Sequence, residues 1–315
     1  MRAVPLLLAL LLLAGCATQS QWPTPGAGPD LPESRLLAQV PFHAQARYQC
    51  GPAALAMMLN SQSLPHRPEE LVDRVYLPKR GGTLQVEMVA AAREQGLIVY
   101  PLRQQTGAII AEVAAGNPVL VMQNLRFSWW PQWHYAVVVG YDRPRRELIL
   151  HTGTRRAHPQ PLKVFRATWD RAERWAMVML DPRQMPATVE PMPWLRAASD
   201  LEQSGQPRAA YQAYHSALQR WPDQPAALFG MGNSAAALGQ YSLAVEHLLS
   251  FTRQNPQLAA GWNNLGQVLY RLDCPQAATV ASGCAASLDA RFAGSASTPR
   301  KTGRPMAACP VLSCP

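Results

Sequence analysis

Trp194, Leu228 and Trp262 recur at a 34-residue interval, and Pro222/Pro256, Gly232/Gly266 and Ala210/Ala244/Ala278 keep the same spacing. Ala198 occupies the place of the two glycines in the earliest copy. This period, in an Ala-rich stretch, narrows the fold to stacked pairs of antiparallel helices. The large residue fills the space between helices. The small residue sits where two helices touch, and the proline closes the second helix. One such pair cannot bury its apolar face alone, so residues 191–290 are expected to form an all-α array of about three units. The aromatic residues within it are read as packing residues rather than ligand contacts.

Residues 37–182 have no such period. Helix signals fall at 52–60, at 68–76 with Glu69 and Glu70 in the opening turn, at 83–95 with Thr83 as N-cap and Gly96 as stop, and at 109–115. Strand signals fall at 97–102, 119–123, 134–141, 147–151 and 175–180. The charged turn Asp142-Arg143-Pro144-Arg145-Arg146 joins the 134–141 and 147–151 strands as a hairpin. Helices come first and an antiparallel sheet second, an α+β order unlike that of a doubly wound parallel sheet.

The N-terminus reads as a targeting signal, with Arg2 followed by an apolar run over residues 6–13 that is too short to span a bilayer. Leu13-Ala14-Gly15-Cys16 resembles the bacterial lipoprotein signal, which implies cleavage before Cys16 and a lipid on its thiol. Ala17 follows instead of the aspartate that marks inner-membrane retention, so the expected location is the periplasmic face of the outer membrane. Pro23, Pro25, Gly26, Gly28, Pro29 and Pro32 make residues 17–36 a flexible tether. Residues 291–315, rich in Pro, Ser, Gly and Ala, are expected to be a disordered tail. The net charge of +9 biases the surface toward anionic partners such as lipid head groups or cell-wall polymer, although no Lys/Arg block stands out.

With Cys16 set aside, Cys50, Cys274, Cys284, Cys309 and Cys314 remain. The last four can pair among themselves in an oxidising compartment, with Cys274 and Cys284 as candidates for a disulfide. That leaves Cys50 as an odd thiol, marked as reactive. Cys50-Gly51-Pro52 ends a polar loop and begins a helix, where the free N–H groups and the dipole favour thiolate. Gly51 lets a substrate backbone come close, and Leu55, Met58 and Leu59 pin one helix face into a core. His134 opens the run His134-Tyr135-Ala136-Val137-Val138-Val139-Gly140, where a strand can hold an imidazole at a cleft. His43, His151 and His158 lack that context. Trp129, Trp130 and Trp133 lie just before it, as hydrophobic packing or as an apolar wall for a substrate side chain. A thiol, an imidazole base and an oxyanion donor are what thiol peptidase chemistry requires.

Cys50-Gly51-Pro52-Ala53 and the His134–Asp142 run resemble the bacteriocin-processing cysteine peptidases, which cut after double-glycine leaders, over residues 38–182. The 34-residue period resembles the tetratricopeptide repeat. The resemblance implies an α+β papain-like cysteine peptidase domain followed by an all-α tetratricopeptide repeat domain. Cys50 would be nucleophile, His134 base and Gln45 oxyanion donor, with Gln49 a weaker rival for the last role. The carboxylate that the family places after the base falls here on Thr152-Gly153. Thr152, His151 or Asp142 would then orient the imidazole, or the site would work as a dyad.

A peptide or protein substrate, a protein partner on the repeats and a membrane reached through the lipid anchor are the expected partners. No cofactor, metal or nucleic acid is expected, and the absence of a phosphate-binding Gly-rich loop argues against a peptide exporter. The alternatives are a catalytically inactive peptide-binding scaffold and a transglutaminase-like acyl transferase.

Overall fold

The structure, a computed structural model, describes residues 31–45, 49–293 and 310–314. The lipoprotein signal, Cys16 and most of the expected tether lie outside the described residues. The sheet begins earlier than the sequence suggests. Strand β1 (Ser34–Leu36) pairs antiparallel with a later strand, so the last residues of the expected tether belong to the sheet.

Helix α1 (Cys50–Ser61) comes next, then α2 (Pro68–Val75), a short hairpin of β2 (Tyr76–Leu77) and β3 (Gly82–Thr83), and α3 (Gln85–Glu94). Gly51 through Leu59 are all buried, so α1 is enclosed all round and not pinned by one face. Its Pro52 falls in the first turn, where no intrahelical N–H bond is lost. Thr83 does not cap α3. It pairs with Tyr76 in the small hairpin, and Leu84 takes the N-cap position.

The main sheet contains β1, β4 (Ile98–Pro101), β5 (Val119–Asn124), β6 (Trp133–Asp142), β7 (Glu147–Thr152), β8 (Arg155–Pro161) and β9 (Ala176–Leu180). Its order is β4-β9-β5-β6-β7-β8, with β1 added on β6, and every pairing is antiparallel. Helix α4 (Thr106–Ala114) precedes β5, and α5 (Leu162–Asp170) follows β8. Strand β8 and helix α5 were not expected. Two prolines and two arginines hide β8, which stands at the sheet edge where a missing N–H is tolerated. Leu162, Phe165 and Trp169 at helical spacing mark the buried face of α5.

Three helix pairs complete the chain: α6 (Pro191–Gln203) with α7 (Pro207–Arg220), α8 (Pro225–Ala237) with α9 (Tyr241–Gln254), and α10 (Ala259–Arg271) with α11 (Pro275–Leu288). Trp194, Leu228 and Trp262 are buried, as are Ala210, Ala244 and Ala278. A Cβ on Gly232 would come within 2.7 Å of Leu248, and one on Gly266 within 2.7 Å of Ser282, so helix contact sets these glycines.

The two parts share a core. One apolar cluster runs from Leu37 and the sheet residues through Trp194, Leu201 and Tyr214 to Met231. Glu112, fully buried on α4, accepts hydrogen bonds from Thr188 N at 2.8 Å, Thr188 Oγ1 at 2.7 Å, Ala187 N at 3.0 Å and Asn117 Nδ2 at 2.8 Å. This fastens the connection between sheet and repeats. Arg93 pairs with Asp200 and Arg103 with Glu190 across the same junction.

The expected Cys274–Cys284 disulfide is not formed. Cys284 is bonded to Cys314, and Cys274 is itself disulfide-bonded. Cys274 caps α11 and Cys284 lies within it, about 15 Å along the axis at helical rise, well beyond disulfide reach. Of the expected disordered tail, residues 294–309 and 315 lie outside the described residues. Ala290–Phe292 is a 3-10 turn, and Cys314 is fastened to α11.

Candidate active site

Cys50 is the first residue of α1. Gly51 presses against the β2–β3 hairpin so closely that a Cβ there would lie 2.3 Å from Thr83 Oγ1. Only glycine lets the head of the helix sit this deep. Cys50 is half-buried and is the free cysteine among the described residues. The backbone N–H groups of Tyr135, Gly51 and Cys50 lie near its sulfur and favour thiolate. Burial pushes the thiol above its ordinary value, and these three donors recover only part of the shift. The expectation of a resting thiolate is therefore not met, because desolvation at an enclosed helix outweighs the N-terminal donors.

His134 is the second residue of β6, directly before Tyr135, whose backbone lies near enough to Cys50 to act on its charge. Its Nε2 shares a hydrogen bond of 2.7 Å with Thr152 Oγ1 on β7. Burial, and secondarily the Arg155 charge, lower its pKa to about 4. The imidazole is thus neutral near neutral pH and fit to accept a proton.

Gln45 joins the same two strand segments. Its Nε2 donates to Tyr135 O at 3.2 Å, its Oε1 accepts from Gly153 N at 3.1 Å, and its own N–H donates to Gly153 O at 3.0 Å. One amide hydrogen is spent on Tyr135, which leaves the second for an oxyanion. Gln49 is the N-cap of α1 and makes no side-chain cap bond.

The structure therefore brings Cys50, His134, Gln45 and Thr152 together around two short segments, His134–Tyr135 and Thr152–Gly153. The other residues considered lie elsewhere. His151 is turned away, with Nε2 at 3.2 Å from Val40 O and Nδ1 accepting from Ala157 N at 3.0 Å. Asp142 ends the far side of β6 and accepts from Arg145 N. His43 bonds Asn60. Tyr135 and Thr83 add to the site. The phenol donates to Thr83 O at 3.3 Å and is held protonated by burial and by the nearby Cys50. Tyr135 follows the candidate base directly in sequence, but Thr83 gave no signal because its approach to Gly51 is a tertiary contact.

Among the described residues no group of three or more His, Cys, Asp and Glu side chains is arranged to hold a metal ion, and no helix is long and apolar enough to cross a membrane. A hydroxyl partner for Nε2 has a chemical consequence. A carboxylate only accepts and would force Nε2–H, leaving Nδ1 as base; a hydroxyl accepts or donates and fixes neither tautomer.

A family profile described as the Peptidase_C39 like family matches residues 37–177, and one described as the tetratricopeptide repeat matches residues 201–267. Among solved structures, a C39-like peptidase from Bacillus anthracis is 15% identical, covering 47% of this chain and 98% of its own, with a TM-score of 0.41. The peptidase domain of Streptococcus ComA, a bi-functional ABC transporter involved in a quorum sensing pathway, is 18% identical. It covers 44% of this chain and 97% of its own, with a TM-score of 0.36. No curated protein sequence matches.

Proposed function

The chain joins a C39-like peptidase domain to tetratricopeptide repeats, and we propose that it is a cysteine peptidase in which Cys50 and His134 cleave a peptide bond. The observation that carries this reading is the convergence of thiol, imidazole and carboxamide on the His134–Tyr135 backbone. Cys50 and His134 both rest neutral, so the reaction begins with proton transfer and not from a standing ion pair. As Cys50 Sγ bonds to the substrate carbonyl carbon, His134 takes the thiol proton. The oxyanion is received by the Cys50 N–H and the free amide hydrogen of Gln45. His134 then returns the proton to the departing amine, leaving a thioester. Water, deprotonated by the same imidazole, releases the acid and restores the thiol.

The remaining parts of the reading concern place and recruitment. A lipid on Cys16 would hold the protein at the periplasmic face of the outer membrane, and the repeats would recruit a protein substrate or partner. A second reading, an inactive peptide-binding scaffold, draws on the raised thiol and on Thr152 standing where the resemblance places a carboxylate. Comparing cells carrying Cys50→Ala with wild type tests the two. Under the peptidase reading, the variant accumulates an uncut periplasmic protein. Matching proteomes, together with complementation of a deletion by Cys50→Ala, would reject catalysis in favour of the scaffold.

A further inference from the structure

The β5–β6 ladder ends where Asn124 pairs with Trp133. Residues 125–132, which close this hairpin, are built around the buried Asn124. Its Oδ1 accepts from Arg126 N and Gln132 N, each at 3.0 Å, and its Nδ2 donates to Phe127 O at 3.2 Å. Leu125 N donates to Gln132 O at 2.9 Å, Trp130 N to Phe127 O at 3.2 Å, and Arg171 Nη2 braces Asn124 O at 3.0 Å. This scaffold holds large aromatic rings in water. Phe127 is 63% exposed, Trp129 77%, Trp130 62% and Trp133 52%. Phe127 and Trp129 stack at 5.5 Å with an 8° interplanar angle, and Trp130 leans on Trp129 at 6.0 Å. Their open surface is on the order of 500 Å², at the upper end for a monomer's largest apolar patch.

The core has no use for these rings, since they pack on one another at a hairpin end. Their chemistry indicates the partner. Tryptophan combines an apolar body with a polar N–H and concentrates at the lipid–water boundary. Arg126 is the one charged side chain in residues 117–141, and Arg155 stands close enough to His134 to act on its charge. The rim is therefore basic on a chain of net charge +9, which complements an anionic surface. A polypeptide ligand would be better served by a slot between the rings than by rings stacked face to face.

We propose that the β5–β6 hairpin is a membrane-docking element, seating Phe127, Trp129 and Trp130 in the head-group region of an anionic bilayer. This does not depend on peptidase activity or on a lipid at Cys16. It is compatible with both, because β1 joins β6 at Asp142, the end away from the hairpin. Strand β6 has 10 residues and is about 30 Å long. Leu31, Pro32 and Glu33 are held at the Asp142 end by Arg143 and Tyr141, and the covalent length of residues 17–30 allows a reach of at most about 50 Å, enough for a Cys16 lipid and the hairpin to meet one surface together. Two weak membrane signals hold a protein where one does not.

The test uses the full chain carrying Cys16→Ser, so that the leader contributes equally to every sample. It is compared with the same chain carrying Phe127→Ser, Trp129→Ser and Trp130→Ser. Both are sedimented with vesicles of phosphatidylcholine and phosphatidylglycerol, and tryptophan emission is followed with brominated acyl chains as quencher. Equal thermal melting and equal Cys50 alkylation establish that the triple variant is folded. The proposal expects the variant to bind at least about 30-fold more weakly and to lose most of the bromolipid quenching. Equal binding and equal quenching overturn it. Unchanged vesicle affinity with slower cleavage of a peptide substrate also overturns it, and makes the hairpin a substrate wall instead.

Discussion

Replacing Thr152 with aspartate supplies the carboxylate that the imidazole lacks. In the wild-type protein His134 lies near pKa 4, held down first by burial and then by Arg155. At pH 7 only about one molecule in a thousand carries the imidazolium. An anion in hydrogen-bond contact with the ring raises such a pKa by roughly 1–3 units, which brings His134 to between about 5 and 7. Each unit corresponds to about 1.4 kcal/mol in favour of the charged ring. The sign for the thiol is opposite, since a neighbouring cation favours thiolate. Cys50 alkylation by iodoacetamide at neutral pH should therefore accelerate by about tenfold or more in Thr152→Asp. Histidine ring resonances followed across pH give the first quantity, with His134 identified by its absence in His134→Gln. Thr152 is buried, so the new carboxylate carries a folding cost, and Thr152→Asn serves as the uncharged control. Its carboxamide gives Nε2 a hydrogen-bond partner without the negative charge. A His134 titration that stays near 4 in folded Thr152→Asp would refute this account of the site's electrostatics.

Two further outcomes follow from buried ionisable groups. His134 titrates near 4 when folded and near 6.5 when unfolded, so between these values the unfolded chain binds more protons and stability rises with pH. As pH falls from 6.5 through 4, this residue should withdraw about 3 kcal/mol, with His151 and His247 acting in the same direction because burial lowers both. Urea unfolding across that range, flattened in His134→Gln, checks it. Glu112→Ala removes the acceptor for two backbone N–H groups, a hydroxyl and an amide at the junction. It should cost about 3–5 kcal/mol in urea unfolding and speed proteolytic nicking of residues 183–190, while Glu112→Gln should cost less because one acceptor oxygen remains.

The large elements were legible because their signals are local. The 34-residue period reports helix stacking directly, and the apolar run after His134 reports a strand buried over Tyr135–Tyr141. Cys50 could be placed at a helix start because proline and small residues follow it. The charge state of the thiol could not be read, since it depends on enclosure of α1 on all sides by segments distant in sequence. The same holds for the choice of Thr152 over His151, which turns on which side of β7 faces His134. Strand β8 was hidden by prolines that are harmless only at an edge. Glu112 carries no local sign of its partners, because only the fold brings Ala187 and Thr188 to it. The Cys274–Cys284 pairing fails on distance, because ten residues of helical rise in α11 exceed the span of a disulfide.

The shared core of sheet and repeats has a geometric outcome. Trp194 is fully buried in the first repeat helix, and its ring lies 6.5 Å from that of Tyr100 on β4. Together with the Glu112 fastening, this denies the helical array a swivel against the sheet. Under the proposed function, a protein grasped by the repeats would be presented at a set span and angle from Cys50. Sites along a captured chain would be selected by how far they lie from the grasped segment, as on a gauge, as well as by the residues that flank them.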